Sequence, residues 1–177
     1  MKRCCNRSRH GRNNFEMSKG LLNYTTSIDA GKTVGEIQSK LAKAGAHQIL
    51  HEYDGFGNVS ALSFRIKTKF GDMAFRLPAN IAAVERILSE QSRQKKIAHS
   101  FTTTEQATRV GWRILKDWIE AQLALIETGM VTVEQVFLPY AQNAQGQTIY
   151  EALVAKKFSG LALPASSKIV EMEEKAG

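Results

Sequence analysis

Apolar residues recur at helical spacing from Glu105 to Met130, the longest such run in the chain. Val110, Ile114, Trp118, Ala121 and Leu125 fall on one face, flanked by Leu115, Ile119, Gln122 and Ile126, so the spacing predicts a long helix with a broad buried side. Thr102 with Glu105, or Thr103 with Gln106, supplies a capping box at its start, and Gly129 stands where a left-handed residue ends a helix. Arg109, Arg113, Lys116, Asp117 and Glu120 occupy the other side. Glu105–Arg109, Arg113–Asp117 and Lys116–Glu120 are opposite charges four apart, each pair contributing about 0.2–0.5 kcal/mol on an exposed helix. Gly111 inside the run costs about 1 kcal/mol against alanine, which points to close packing with another element there.

The period changes upstream. Leu21 to Ile28 is rich enough in β-branched and aromatic residues for a strand. Thr33 with Glu36 then opens a helix that buries Val34, Ile37, Leu41 and Ala44 and stops at Gly45. A three-stranded meander follows: 48–54, a turn at 55–58, 59–69, a turn at Gly71-Asp72, and a strand from Met73 to Leu77. Leu62, Phe64 and Ile66 alternate with Ser63, Arg65 and Lys67, and Met73, Phe75 and Leu77 with Ala74 and Arg76. Asn80 caps a helix carrying Ile81, Val84, Ile87 and Leu88 inward. Residues 89–103 read as a fraying helix end and a polar linker. Thr132 with Gln135 caps a short helix before Pro139, and Thr148 with Glu151 caps a last one through about Lys157. The pattern is α+β: a small antiparallel three- to four-stranded sheet packed against helices, with a long central helix and a helical C-terminal part.

With 177 residues, 43% of them hydrophobic, the chain can bury one good core. The expected division is a basic tail over 1–20, one domain over 21–160 and a mixed-charge tail over 161–177. Translation beginning at Met17 is an alternative account of the first sixteen residues. No apolar run reaches the length of a membrane span. The only cysteines are the neighbours Cys4 and Cys5, so the core is expected to be disulfide-free, as in a reducing cytoplasm.

The net charge of +7 is unevenly distributed, at +5 over residues 1–20, +4 over 21–100 and −2 over 101–177. The tail therefore supplies much of the basic character, and overall charge is a weak argument for nucleic acid.

Two sets of cations are candidate binding groups. Arg65, Lys67, Lys69 and Arg76 gather on or near the solvent side of the meander, a fixed array suited to phosphates; the competing reading is that they blunt an exposed sheet. Arg109, Arg113 and Lys116, with Trp112 beside them as a stacking surface, form the second set. There the competing reading is a self-neutralising stripe, with Trp112 packed under a neighbouring segment.

Gly31-Lys32-Thr33 resembles the end of a P-loop, but Thr26 stands where the first glycine is needed, so the loop has no reason to wrap a phosphate. Cys4, Cys5 and His10 lack zinc-knuckle spacing, and His47 and His51 have no third ligand nearby, so no metal or other cofactor is expected. No hydrolase elbow, HExxH, CxxC or GxGxxG is present. Asp29, Glu52, Asp54 and Asp72 are scattered over turns and strand ends, and no enzyme is expected.

The runs NYTT, EYD, FRLPAN, RVGWRILKDWIEAQLALIE and VFLPY resemble a family of short uncharacterised proteins from bacterial mobile elements and phages, over about Leu22 to Ala155. The resemblance implies a setting and carries no activity. Separately, the order helix, three strands, helix from Thr33 to Ser89 is similar to the double-stranded-RNA-binding domain. The lysine-rich start of that domain's second helix is replaced here by Pro78-Ala79-Asn80, so RNA binding does not carry over. The leading expectation is a non-enzymatic nucleic-acid-binding accessory protein with DNA or RNA as partner. The alternative is an interaction protein that binds a host protein or a small ligand, self-associating as an oligomer.

Overall fold

The computed structural model describes residues 20–159; both terminal tails lie outside them. Five helices and a three-stranded antiparallel sheet make it an α+β fold. The elements are α1 (Ala30–Lys43), β1 (Ala46–Tyr53), β2 (Val59–Thr68), β3 (Gly71–Arg76), α2 (Ile81–Arg93), α3 (Thr104–Glu127), α4 (Val133–Phe137) and α5 (Ile149–Ala155). Among the described residues, no helix is long and apolar enough to cross a membrane.

The meander forms as its alternation dictates, in the order β1-β2-β3. Leu62, Phe64, Ile66 and Phe75 are buried on one face, and all the helices that cover the sheet lie on that side. Val34, Ile37 and Leu41 of α1 and Trp112, Leu115 and Ile119 of α3 complete this core. Phe137 of α4 enters it edge-on to Phe64 and Trp118, with ring centroids 5.4 and 5.6 Å away. The segment after α4 runs along the free edge of β3, where Gln142 N–H donates to the Ala74 carbonyl at 2.8 Å.

A second core lies between α2 and α3, built from Leu88, Ile97, Ala107 and Val110. Gly111 is its point of closest approach: a Cβ there would meet Ile81 Cδ1 at 2.7 Å. The helix–three strands–helix order is present, but α2 packs on α3, which stands between it and α1. This arrangement turns α3 relative to the expected face. Gln106, Ala107, Val110, Trp112, Leu115, Lys116 and Ile119 are the buried positions, while Ala121 and Leu125 are exposed and Ile114 and Trp118 half-buried. A helix flanked on two sides buries an arc wider than one amphipathic stripe.

Two local expectations are corrected. Residues 21–28 form turns, not a strand, with Asn23 at a φ of +62°. The Gln106 amide, reaching from α3, donates to the Tyr24 and Thr26 carbonyls at 2.9 Å each and does the work a strand ladder would have done. At α1 the cap is Asp29, whose carboxylate accepts the Lys32 N–H at 3.1 Å; Thr33 is fully buried, and Glu36 reaches out to α3 instead of back to a cap.

Candidate nucleic-acid interface

The antiparallel register fixes which side chains share the uncovered face of the sheet. Arg65 pairs with Gln48 and Ala74, Ser63 with Leu50 and Arg76, and Lys67 with Asp72. Partners directly opposite in a ladder point the same way, so Arg65, Lys67 and Arg76 form one array on the side away from the helices. Lys69 sits in the turn between β2 and β3, its ammonium 5.0 Å from the centre of the Phe70 ring. The structure thus places Arg65, Lys67 and Arg76 on one face, and Lys69 in the adjoining turn within electrostatic reach of Glu134 of α4.

Carboxylates stand among these cations. Arg76 donates to Glu52 at 2.8 Å, and Arg65 comes within 3.9 Å of Asp72, which also has His47 at 3.4 Å. Glu151 at the start of α5 also lies within electrostatic reach of Arg76, and Glu134 of α4 within reach of Lys69, so four carboxylates accompany the four cations. The Arg76–Glu52 and Arg65–Asp72 pairs are substantially exposed. Such pairs contribute about 0–1 kcal/mol, so an incoming phosphate can replace them at little cost. Arg65 also borders two adjoining hollows of about 120 and 440 Å³, shared with Ala74 and Gln142. The pleat and the 141–146 segment thus leave a groove beside its guanidinium.

The second set of cations has a different fate. Arg113 donates to Glu36 of α1 at 2.8 Å. Lys116, 9% exposed, donates to Glu120 at 2.5 Å, and Glu120 also accepts Lys40 of α1 at 2.5 Å. These bonds pin α3 to α1. The Lys116 bond, followed by the Lys40 bond, holds the Glu120 carboxyl below its usual range, and the bond to Glu120 raises the Lys116 ammonium. Arg109 is held by Glu105 and by the Gln106 side chain. Trp112 is 1% exposed and presents no open ring face for a base. Its indole Nε1–H is buried without an acceptor, a state that costs about 1–3 kcal/mol. Trp112 is therefore packed in the core, the competing reading of the sequence, and does not offer a stacking surface; Arg113 and Lys116 act as interhelical ties.

The scattered carboxylates each have a structural partner. Asp54 accepts backbone N–H groups of Asn58 and Phe56 at 2.9 and 2.8 Å, which hold its carboxyl below the ordinary value and close the β1–β2 turn. Asp29 caps α1, Glu52 holds Arg76, and Asp72 lies by His47 and Arg65. Among the described residues, no three His, Cys, Asp or Glu side chains gather into a metal-binding group.

The sequence reading missed a cavity between the start of α1 and the β1–β2 hairpin. Its wall draws on four separated stretches and includes Trp112 and Gly31. The glycine of the incomplete P-loop was the one local signal pointing toward it. Comparison with protein-family models, with curated proteins and with solved structures finds no match.

Proposed function

We propose that the protein binds nucleic acid through the uncovered face of its sheet. The observation that carries this reading is the array of Arg65, Lys67 and Arg76 on a sheet face that no helix covers, with Lys69 at its end. A rigid antiparallel sheet holds such cations at fixed separations, about 6.6 Å between alternate residues of one strand, a spacing that suits successive phosphates. The face bears no aromatic ring among Gln48, Leu50, Glu52, Ser63, Arg65, Lys67, Asp72, Ala74 and Arg76. Cation contacts of this kind grip the backbone and carry little sequence preference, and the nearest exposed ring is Phe70 in the β2–β3 turn.

Replacing Arg65, Lys67 and Arg76 together by alanine then abolishes most of the affinity for duplex DNA or RNA. Arg113→Ala, which removes a tie between α1 and α3, leaves affinity unchanged and lowers stability. The reverse pattern contradicts the reading. The resemblance over residues 22–155 to short mobile-element and phage proteins supports an accessory role in that setting.

A second reading is self-association through the far end of α3. Leu123, Ala124 and Ile126 line a groove of about 590 Å³ with Lys40, Lys43 and Glu127, and Met130 just beyond is 71% exposed. Light scattering decides it: a monomer at tens of micromolar removes this reading.

A further inference from the structure

β1 is an edge strand: it pairs with β2 on one side, and among the described residues no strand lies on the other. The far edge of the sheet is closed by the chain itself, since Ala141 bridges Phe75 and the Gln142 N–H donates to the Ala74 carbonyl. β1 has no such cover among the described residues. It also lacks the side chains that usually deter pairing, because its eight residues, AHQILHEY, include no proline, lysine or arginine.

The direction of its free backbone groups follows from β2. The Leu62 carbonyl accepts the Leu77 N–H on the β3 side, so Ser63 and Arg65 direct their N–H and C=O groups toward β1. Their partners Leu50 and Gln48 complete that ladder, which turns the N–H and C=O groups of Ile49 and His51 outward. Among the described residues these four groups have no hydrogen-bond partner. From Gln48 to Glu52 the pairing with β2 is unbroken, and the register shifts on either side of that stretch. The straight part of the edge is therefore centred on Leu50, which stands on the uncovered face and is 57% exposed.

We propose that two copies of the chain pair β1 to β1, antiparallel, about a two-fold axis at Leu50. This register uses the whole straight stretch of both strands. Ile49 of each copy exchanges backbone bonds with His51 of the other, and Leu50 opposes Leu50 as a non-hydrogen-bonded pair with Cα atoms about 4.5 Å apart. The Gln48 amide faces Glu52, the one carboxylate of the strand, so like charges do not meet. Arg76 takes one oxygen of that carboxylate and leaves the other for the amide. The flank of α1 beside this edge leaves room for a second copy. Gly31, Gly35, Gln38 and Ala42 recur there at helical spacing, exposed and uncharged, and the first three share a hollow with His51 and Tyr53.

The product is one six-stranded sheet with both helix layers on the same side, because directly opposed residues of a ladder point the same way. The two uncovered faces become continuous, with their β2 strands about 14 Å apart. On the reading that this face binds nucleic acid, the dimer doubles the cation array; the pairing itself does not depend on that reading.

Light scattering of the full chain at tens of micromolar, without nucleic acid, is expected to give a dimer. Leu50→Lys and Leu50→Glu, at an exposed position that keeps the fold, are each expected to give a monomer. Mixing these two variants should restore the dimer, since position 50 faces itself. In a Cys4→Ser, Cys5→Ser background, Leu50→Cys should form a disulfide between copies under mild oxidation, while Leu125→Cys at the far end of α3 should not. Amide exchange at Ile49 and His51 should be slow in the native chain and at least tenfold faster in Leu50→Lys.

A native chain that is monomeric overturns the proposal, and slow exchange at Ile49 and His51 in that monomer would show that another part of the same chain covers the edge. A dimer that Leu50→Lys leaves intact also overturns it and assigns self-association to the end of α3. A β1-paired dimer that binds no nucleic acid upholds the pairing and removes the sheet-face reading, so the two failures are distinguishable.

Discussion

Gly111 of α3 lies so close to Ile81 of α2 that a Cβ at position 111 would come within 2.7 Å of the Ile81 Cδ1 atom. The glycine is thus retained in a helix interior, where it costs about 1 kcal/mol against alanine, because the helix beside it leaves no room. The obstructing atom is the end of a flexible side chain, so the two positions are coupled. Gly111→Ala is expected to change stability little in the native background. In the Ile81→Val background, which lacks Cδ1, the same substitution should stabilise by about 0.5–1 kcal/mol. A double-mutant cycle by urea unfolding measures the difference, and equal effects in both backgrounds would contradict the packing.

Phe137 anchors the C-terminal part. It is fully buried against Phe64, Phe75 and Trp118, yet it belongs to a helix of only five residues, too short to persist alone. Phe137→Ala should cost about 3–5 kcal/mol. It should also raise hydrogen exchange across 133–155 well before the sheet exchanges. Uniform loss of protection would contradict a local anchor.

Acid should weaken the α1–α3 contact. Glu120 is depressed, chiefly by Lys116 and then by Lys40, so its contribution is present above its ordinary value of 4.5 and is lost as pH falls through the lowered one. Lys116 is raised above 10.5, so its share is complete below that pH and is lost only in strong alkali. Glu120→Gln should therefore cost about 1–2 kcal/mol at pH 7, between an exposed and a buried pair, and much less at pH 3. Urea unfolding at the two pH values checks it.

Much of the fold was legible because its signals are local. Asn80, Thr132 with Gln135, and Thr148 with Glu151 cap helices where their spacing placed them. At α3, Thr103 is the cap chosen from two candidates, while Gln106 sends its amide to residues 24 and 26. That long-range capture is why LLNYTTSI, a strand by composition, forms turns. Of the two readings of Trp112, a stacking surface or a ring packed under a neighbouring segment, the structure has the packed one, because α3 is flanked on two sides. The cations of the sheet face follow from strict alternation and register. The cavity by Trp112 was hidden because its wall joins residues from the α1 start, the hairpin and α3, more than 70 positions apart in the chain.

The most direct test of the central claim is the salt dependence of duplex binding by the full chain and by the Arg65→Ala, Lys67→Ala, Arg76→Ala triple variant. Affinity is measured across a sodium chloride series with circular dichroism as the folding control. If these three side chains contact phosphates, the native chain shows a steep fall of log affinity with log salt, and the triple variant's slope is shallower by about 2–3. Coincident slopes, or no binding by the native chain at low salt, would contradict a phosphate-binding sheet face.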